Sequence, residues 1–388
     1  MSGVVIVGGG LAGQRCAETL RRSGYEGSIL MICGEPHLPY DRPPLSKELL
    51  LDPAVEEGLS FRSPGWYEEK AVQLRMGAAA CQLDEDARTV HLSDGSSVSY
   101  EQLLIATGSR PRRLPMFEGF QNVSTLRTRE DARRLRGALM PGARLLVIGA
   151  GFIGQEAASS ATKAGARALI IEAAATPLES VLGNELGSWF ADLHRSNGVE
   201  LLLEQRVVGV SGDRRVDSVT LAGGRRIHCD HVLLGIGVDP DAGWLSSSSL
   251  GASRVQTDID GRTDIPGIYA AGDVAAAFDP LLERHLACDH WESAGRQGSR
   301  AAKAMLGLDP GPLGVSSFWS DLYCTRVQYL GHASLADGLT IDGDPHTREF
   351  TAMFTREQQP VAVLLVGRPQ MLPQARQLLS TTAEIAYA

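Results

Sequence analysis

The sequence predicts an α/β protein, because a strand-turn-helix pattern occurs in it twice. The two glycine turns are Gly8-Gly9-Gly10-Leu11-Ala12-Gly13 and Gly149-Ala150-Gly151-Phe152-Ile153-Gly154, which begin 141 residues apart (149 minus 8). Each follows an apolar run, residues 4–7 or 145–148, of the kind that forms a parallel strand buried on both faces. A G-x-G-x-x-G turn between a strand and a helix is typical of a Rossmann-like domain. The sequence therefore predicts two such domains.

An acidic residue follows each glycine turn at the end of the next apolar run. Glu35 comes after residues 29–32 and Glu172 after residues 168–171, both about 20 residues beyond the glycines, where an acid accepts hydrogen bonds from ribose hydroxyls. A pyrophosphate binds such a turn through backbone N–H groups and the positive end of the helix dipole. The chain is predicted to bind FAD in one site and a nicotinamide dinucleotide in the other. No arginine follows Glu172 before residue 178, and a carboxylate repels a 2′-phosphate, so NADH is expected rather than NADPH.

Composition narrows the class of protein and its partners. The 388 residues exceed one hydrophobic core and predict two or three domains. The net charge of −9 argues against nucleic acid as a partner, and no apolar run approaches the roughly 18 residues that a membrane span needs. Because the first strand begins at about residue 4, we expect no signal peptide and a cytoplasmic location. The six cysteines are scattered, the closest pair 17 positions apart (33 minus 16), so neither a C-x-x-C redox pair nor a metal site is expected.

The order of the segments predicts one nucleotide domain interrupted by another. Residues 1–110 and 238–311 are expected to form the FAD-binding domain, residues 111–237 the NADH-binding domain, and residues 312–388 a C-terminal α+β domain. The proline-rich segment Arg110-Pro111-Arg112-Arg113-Leu114-Pro115 predicts an extended linker. Thr128 with Asp131 predicts a capped helix start. In the last segment, residues 325–330 and 361–366 are expected to be strands and residues 373–379 helical.

Five further motifs resemble one family. Ala106-Thr107-Gly108 and Gly272-Asp273, together with the glycine turns, are similar to the glutathione-reductase-like flavoprotein superfamily. Within it, Pro39-Tyr40-Asp41-Arg42-Pro43-Pro44-Leu45-Ser46-Lys47, His290-Trp291-Glu292-Ser293-Ala294 and Phe318-Trp319-Ser320-Asp321 resemble the ferredoxin reductases of the putidaredoxin reductase type, which serve Rieske oxygenases and haem monooxygenases. The likeness spans nearly the whole chain. It implies two Rossmann-like domains, the second inserted in the first, and a C-terminal α+β interface domain.

The resemblance also implies the site residues. For FAD they are Gly8, Gly10, Leu11, Ala12, Gly13, Glu35, Arg42, Pro44, Lys47, Ala80, Ala106, Thr107, Gly108, Arg127, Gly272, Asp273, Trp291 and Ala294. For NADH they are Gly149, Gly151, Phe152, Ile153, Gly154, Glu156, Glu172 and Gly237. Lys47, Glu156 and Trp291 are expected beside the flavin and the nicotinamide, as the catalytic residues.

Simpler interpretations of these residues stay open at this point. Lys47 is one of only four lysines among 37 basic residues, so this chain uses arginine where any cation suffices, but composition alone would place it on the surface. Glu156 fits an ordinary helix-start acid, Trp291 a core residue and Arg127 a solvated linker cation. Asp273 fits the N-cap of an alanine-rich helix after it. Pairing of Glu156 with Lys47 would decide the first question.

The resemblance implies hydride transfer from NADH to FAD, followed by single-electron transfer to an iron–sulfur ferredoxin, expected to be of the 2Fe–2S type, that serves an oxygenase. Alternatives are an NADH-sensing flavoprotein like apoptosis-inducing factor, a reductase of rubredoxin or another small acceptor, and a disulfide or peroxide reductase, which the cysteine spacing disfavours. Arg296, Arg300 and Lys303 share one face of a predicted helix and are either a ferredoxin docking patch or a solvated stripe. Trp319 is either a docking aromatic or core.

Overall fold

The computed structural model describes residues 3–279, 283–287 and 289–387. Its first large sheet is parallel throughout, and the first glycine turn joins its central strand to the helix Leu11–Arg22. Buried valine and isoleucine side chains cover both faces of that strand, as the apolar run predicts. The strands, in spatial order, are Ile268–Ala270, Gln102–Ile105, Val4–Val7, Ile29–Cys33 and Val72–Met76.

The second large sheet repeats this arrangement with the second glycine turn. Its central strand leads through the turn into the helix Phe152–Lys163, and a second helix, Glu179–Ser196, follows the next strand. The helix Arg129–Ala138 lies in the chain between the edge strand Val123–Ser124 and the central strand, and its Thr128–Asp131 capping box is formed as predicted. The strands, in spatial order, are Glu200–Leu202, Arg167–Ile171, Arg144–Ile148, His231–Leu234 and Val123–Ser124, all parallel.

The chain crosses between the two sheets at a two-stranded antiparallel ribbon. Ser109–Pro111 pairs with Val238–Pro240, so the start of the predicted extended linker is a strand. The linker is extended as expected, but its backbone is paired because the outgoing and returning segments lie side by side. After the return, Ile268–Ala270 joins the edge of the first sheet beside Gln102–Ile105. The second nucleotide domain is therefore inserted in the first, which confirms the predicted fold class.

The C-terminal part is an antiparallel sheet covered by a helix, an α+β arrangement. The predicted strands and helix are present within Thr325–Gly331, Gln359–Val366 and Leu372–Tyr387. The spatial order of the strands is Ser317–Leu322, Thr325–Gly331, Gln359–Val366, Glu349–Arg356 and Gly338–Asp344.

Smaller elements complete the described chain. Three-stranded sheets comprise Ala80–Asp84, Thr89–Leu92 and Ser97–Ser99; Val207–Ser211, Ser218–Leu221 and Arg226–His228; and Val255–Thr257, Ala275–Asp279 and Arg284–Ala287. The remaining helices are Glu48–Leu51, Pro64–Glu69 and Trp291–Met305. Among the described residues no helix is long and apolar enough to cross a membrane. Cys288 lies outside the described residues, and the other five cysteines are free thiols.

Candidate functional site

In the first glycine turn, two glycines are required by backbone packing and a third leaves space for a ligand. A Cβ on Gly8 would lie 2.0 Å from the Ala106 carbonyl oxygen, and one on Gly13 would lie 2.2 Å from the Gly8 carbonyl oxygen. The fold itself therefore requires these two glycines, and the φ of +124° at Gly8 adds to that requirement. Around a Cβ on Gly10, no described atom lies within 4 Å. Gly10 leaves open space at the helix N-terminus, as a pyrophosphate-binding turn requires.

The second turn has the same division of roles. A Cβ on Gly149 would lie 2.4 Å from the Gly235 carbonyl oxygen, and one on Gly154 would lie 2.2 Å from the Gly149 carbonyl oxygen. At Gly151 the nearest atom would be 3.8 Å away, an ordinary van der Waals contact. Gly151 is the N-cap of its helix and has no side chain with which to cap the first N–H groups. Both turns therefore present a free helix end to a phosphate, and the residues fit two dinucleotides.

Both predicted ribose acids lie at the ends of their strands and already have partners. Glu35 accepts from Arg42 Nη2 at 2.8 Å and from the Tyr40 hydroxyl at 2.5 Å. Glu172 accepts from the backbone N–H groups of Ala150 at 2.6 Å and Ala174 at 2.9 Å. A carboxylate has about four acceptor positions, so each acid keeps capacity for ribose hydroxyls.

The Gly272-Asp273 corner contacts the linker arginine. Asp273 Oδ2 accepts from Arg127 Nη2 at 3.1 Å and from the Ser109 hydroxyl at 2.6 Å. Burial, with the neighbouring Arg42, lowers the pKa of Arg127 while Asp273 opposes that change. Arg127 is therefore not a solvated linker cation. The helix-cap interpretation of Asp273 is wrong, because the strand Ala275–Asp279 follows it instead of a helix.

Lys47 and Glu156 form a buried ion pair, which decides the question that the sequence left open. Lys47 Nζ lies 2.8 Å from Glu156 Oε2, and the side chains are only 11% and 4% exposed. Ser46 also donates to Oε2, and the Ser320 hydroxyl donates to Oε1 at 2.7 Å. A carboxylate buried to this degree is stable only when it is paired and hydrogen-bonded. Glu156 thus joins residues from all three parts of the chain.

Sequence reasoning missed Ser46 and Ser320 as site residues. Both stand inside motifs that it quoted, directly before Lys47 and directly after Trp319. Their position in those motifs was the available signal. Serine is a common residue, so the role of these two serines could not be predicted without knowing that both contact the carboxylate of Glu156.

Trp291 is half-buried, and its indole N–H is fixed by a hydrogen bond, so it is not an ordinary core residue. Its Nε1 donates to Asp41 Oδ1 at 2.5 Å. Its ring meets that of Trp319 edge to face, with centroids 5.3 Å apart. Trp319 is half-buried, so it is neither an exposed aromatic nor full core. Burial raises the pKa of Asp41, and the bond from Trp291 opposes that rise.

The remaining predicted residues lie in several different elements. Thr107 Oγ1 donates to the Asp241 carbonyl at 2.7 Å, and Gly108 and Gly237, which have positive φ, directly precede the two strands of the ribbon. Pro44 lies in the 3₁₀ turn before Lys47, Ala80 begins the strand Ala80–Asp84, and Ala294 is buried in the first turn of Trp291–Met305 beside Gly272.

The cations of the basic stripe have partners within the protein. Arg300 pairs with Asp260 Oδ1 at 2.6 Å and donates to the Gly311 carbonyl at 2.7 Å, and its side chain is 14% exposed. Arg296 donates to the Val315 carbonyl at 2.6 Å, and Lys303 to that of Pro310 at 3.4 Å. These cations hold the segment that leads into the C-terminal sheet. The interpretation as a solvated stripe is therefore wrong, and the ferredoxin docking patch stays a prediction.

Comparison with known proteins agrees with this geometry. The pyridine nucleotide-disulphide oxidoreductase family matches residues 2–298, and the reductase C-terminal family matches residues 317–388. A probable ferredoxin reductase of Castellaniella defragrans is 35% identical over 97% of this chain and 93% of its own length. The ferredoxin–NAD(+) reductase component of the anthranilate 1,2-dioxygenase system of Burkholderia cepacia is 33% identical over 98% and 94%.

A solved structure of the covalent complex of putidaredoxin reductase with putidaredoxin is similar in fold. It superposes with a TM-score of 0.94 at 33% identity, covering 97% of this chain and 93% of that one. The expected cofactors, FAD and NADH, are those of this family. The chain therefore belongs to the pyridine nucleotide-disulphide oxidoreductase family and has that family's reductase C-terminal domain.

Proposed function

We propose that this protein is an FAD-dependent NADH:ferredoxin oxidoreductase that supplies single electrons to an iron–sulfur ferredoxin of an oxygenase system. The observation that carries the proposal is the Lys47–Glu156 pair, which joins the segment after the first glycine turn to the helix after the second. The relatives named as ferredoxin reductases support the acceptor class. Putidaredoxin, the partner in the similar complex, supports an iron–sulfur ferredoxin as the acceptor, for which we propose a 2Fe–2S cluster.

The two turns would hold the two dinucleotides. FAD would lie on Gly8–Gly13 with Glu35, Arg42, Arg127 and Asp273 around it, and NADH on Gly149–Gly154 with Glu172. When bound, FAD supplies a carrier that accepts a hydride from NADH and releases electrons one at a time. We also propose the domain boundaries expected from the sequence, 1–110 with 238–311, 111–237 and 312–388. The cytoplasmic location is part of the same proposal.

The protein's contribution is to position charge between the two sites. Lys47 presents an ammonium that favours negative charge developing nearby, and Glu156 keeps that ammonium in one place through the 2.8 Å contact. Ser46 and Ser320 orient the carboxylate by donating to its two different oxygens. Trp291, fixed by Asp41 and by the ring of Trp319, would place an apolar ring beside the bound flavin and limit the access of water.

Glu172 supports NADH as the donor. Its carboxylate accepts hydrogen bonds from the backbone N–H groups of Ala150 and Ala174, which hold it at the end of the strand. A 2′-phosphate at that position would meet a negative charge. We expect the kcat/KM for flavin reduction to be at least about tenfold lower with NADPH than with NADH.

The experiment is stopped-flow mixing of the flavin-loaded protein with NADH or NADPH, followed by mixing with 2Fe–2S ferredoxins. The proposal expects rapid bleaching of the flavin by NADH and stoichiometric ferredoxin reduction. Slow bleaching with a long-lived charge-transfer band would favour the NADH-sensing alternative. Trapping of a new dithiol after NADH reduction would favour a disulfide reductase, and reduction of rubredoxin alone would change the acceptor. A colourless protein that takes up no FAD would overturn the proposal.

A further inference from the structure

A chain of buried hydrogen bonds runs from the C-terminal sheet to the second glycine turn. The Tyr323 hydroxyl lies 2.7 Å from His194 Nδ1, and His194 Nε2 lies 2.9 Å from Gln155 Oε1. Gln155 Nε2 then donates to the Ala150 carbonyl at 2.9 Å. His194 and Gln155 are fully buried and Tyr323 is 8% exposed. The three side chains come from three different elements and converge on one peptide of the turn.

The direction of every bond follows from the last one. Because Gln155 Nε2 donates to a carbonyl, Gln155 Oε1 is the acceptor and His194 Nε2 must be the donor. His194 Nδ1 is then the acceptor of the Tyr323 proton. This arrangement needs a neutral imidazole, and burial lowers the pKa of His194 to about 4. Both imidazole nitrogens of His194 therefore have a hydrogen-bond partner only when Nε2 carries the proton and Nδ1 does not.

The consequence for the turn follows from peptide geometry. In a trans peptide the C=O and the N–H point in opposite directions, so a carbonyl of Ala150 held inward by Gln155 aims the N–H of Gly151 outward. The other side of the same residue is held by Glu172, which accepts from the Ala150 N–H at 2.6 Å. Among the described atoms, a Cβ on Gly151 would meet only the Gly235 carbonyl oxygen, at 3.8 Å, so this side of the turn is not tightly packed. Two side chains thus clamp Ala150 and leave the next N–H facing the position of a pyrophosphate.

We propose that Gln155, held by His194 and Tyr323, is a positioning residue for the pyrophosphate of NADH. The inference rests on the proposed function, since it assumes that the second turn binds NADH. It gives the C-terminal domain a part in nucleotide binding through Tyr323. None of the three side chains needs to touch the nucleotide, because they act through the orientation of one backbone N–H.

The test compares Gln155→Leu, Tyr323→Phe and a control, Ser159→Ala, in the flavin-loaded protein. Ser159 accepts from the backbone N–H of Tyr323 at 3.0 Å, so the control loosens the same hairpin against the same helix without touching the chain of bonds. The probe is ADP-ribose, which has the pyrophosphate and no nicotinamide, titrated by calorimetry. Limiting rates of flavin reduction by NADH are measured beside it.

We expect Gln155→Leu to raise the Kd for ADP-ribose about tenfold and Tyr323→Phe about threefold, as expected for one weakened hydrogen bond to a charged group. The KM for NADH should rise by the same factors, and the limiting rate of flavin reduction should change less than about twofold. Ser159→Ala should leave the Kd unchanged. The milder Tyr323→Phe keeps the proposal testable if Gln155→Leu does not fold.

Unchanged ADP-ribose affinity in Tyr323→Phe and Gln155→Leu would overturn the positioning role. An equal loss in the Ser159→Ala control would also overturn it, since the effect would then reflect hairpin packing alone. If the unaltered protein bound no ADP-ribose, the proposed function itself would fail. The two failures are therefore distinguishable.

Discussion

The buried Lys47–Glu156 pair offers a quantitative test of the site, with a matched control in the same chain. Glu156→Gln keeps the shape of the side chain and removes its charge. Lys47, 11% exposed, would then keep an ammonium out of water without a counter-charge. Breaking a buried pair in this way costs about 3–5 kcal/mol.

The control is Glu69→Gln. Lys70 and Glu69 are also 2.8 Å apart, but their side chains are 42% and 69% exposed. A pair in that position contributes about 0–1 kcal/mol because water already solvates both charges. The distance is equal in the two pairs, so the difference in cost measures the effect of burial.

The assay is urea unfolding of the flavin-loaded protein, followed by tryptophan fluorescence and by release of flavin. We expect Glu156→Gln to lower the free energy of unfolding by about 3 kcal/mol and Glu69→Gln by less than about 1 kcal/mol. Adding Lys47→Met to Glu156→Gln should cost about 2 kcal/mol less than the two single changes summed. Strict additivity, or equal costs for Glu156→Gln and Glu69→Gln, would refute the reasoning.

Three other perturbations test the rest of the structure. Gly10→Ala should leave the apoprotein stable but lower its FAD affinity at least about tenfold. Gly13→Ala should instead destabilise the fold by about 1–3 kcal/mol through steric overlap. The flavin content and the melting temperature of each variant distinguish these two outcomes. Because Arg300 has partners within the protein, Arg300→Met should lower the melting temperature and leave the salt dependence of the KM for ferredoxin unchanged. A reduced salt dependence would instead support the docking patch. Because burial lowers the pKa of His194 and of His231 to about 4, the unfolded chain binds more protons than the folded one between about pH 6.5 and 4. Stability should therefore fall as the pH falls through that range, and a flat profile in acid unfolding experiments would contradict lowered pKa values at these two histidines.

The strength of the sequence prediction differed between local and distant features. Local features were predicted correctly, because they depend on residues that are close together in the sequence. They are the glycine turns, the strands before them and the Thr128 capping box. Asp273 was interpreted locally as a helix cap and is instead followed by a strand. Alanine-rich residues 275–277 have high helix propensity, but pairing with neighbouring strands decides their conformation.

The basic stripe shows the limit of helical periodicity. Spacing placed Arg296, Arg300 and Lys303 on one face of a helix correctly. It could not show that carbonyl groups of the segment 310–315 cover that face and accept from those cations. A periodicity identifies which side chains share a face, and only the packing of distant segments identifies what lies against that face.

The sequence by itself determined the two nucleotide-binding units, the acids at their strand ends and the α/β class, because these follow from backbone geometry over short stretches. Only the tertiary structure decided that Glu156 meets Lys47 and Ser320, residues 109 and 164 positions away, and that Gln155 is held by His194 and Tyr323. Those contacts depend on how three domains fit together. A buried charge or amide takes its role from the groups that replace water around it, and those groups are remote in the chain.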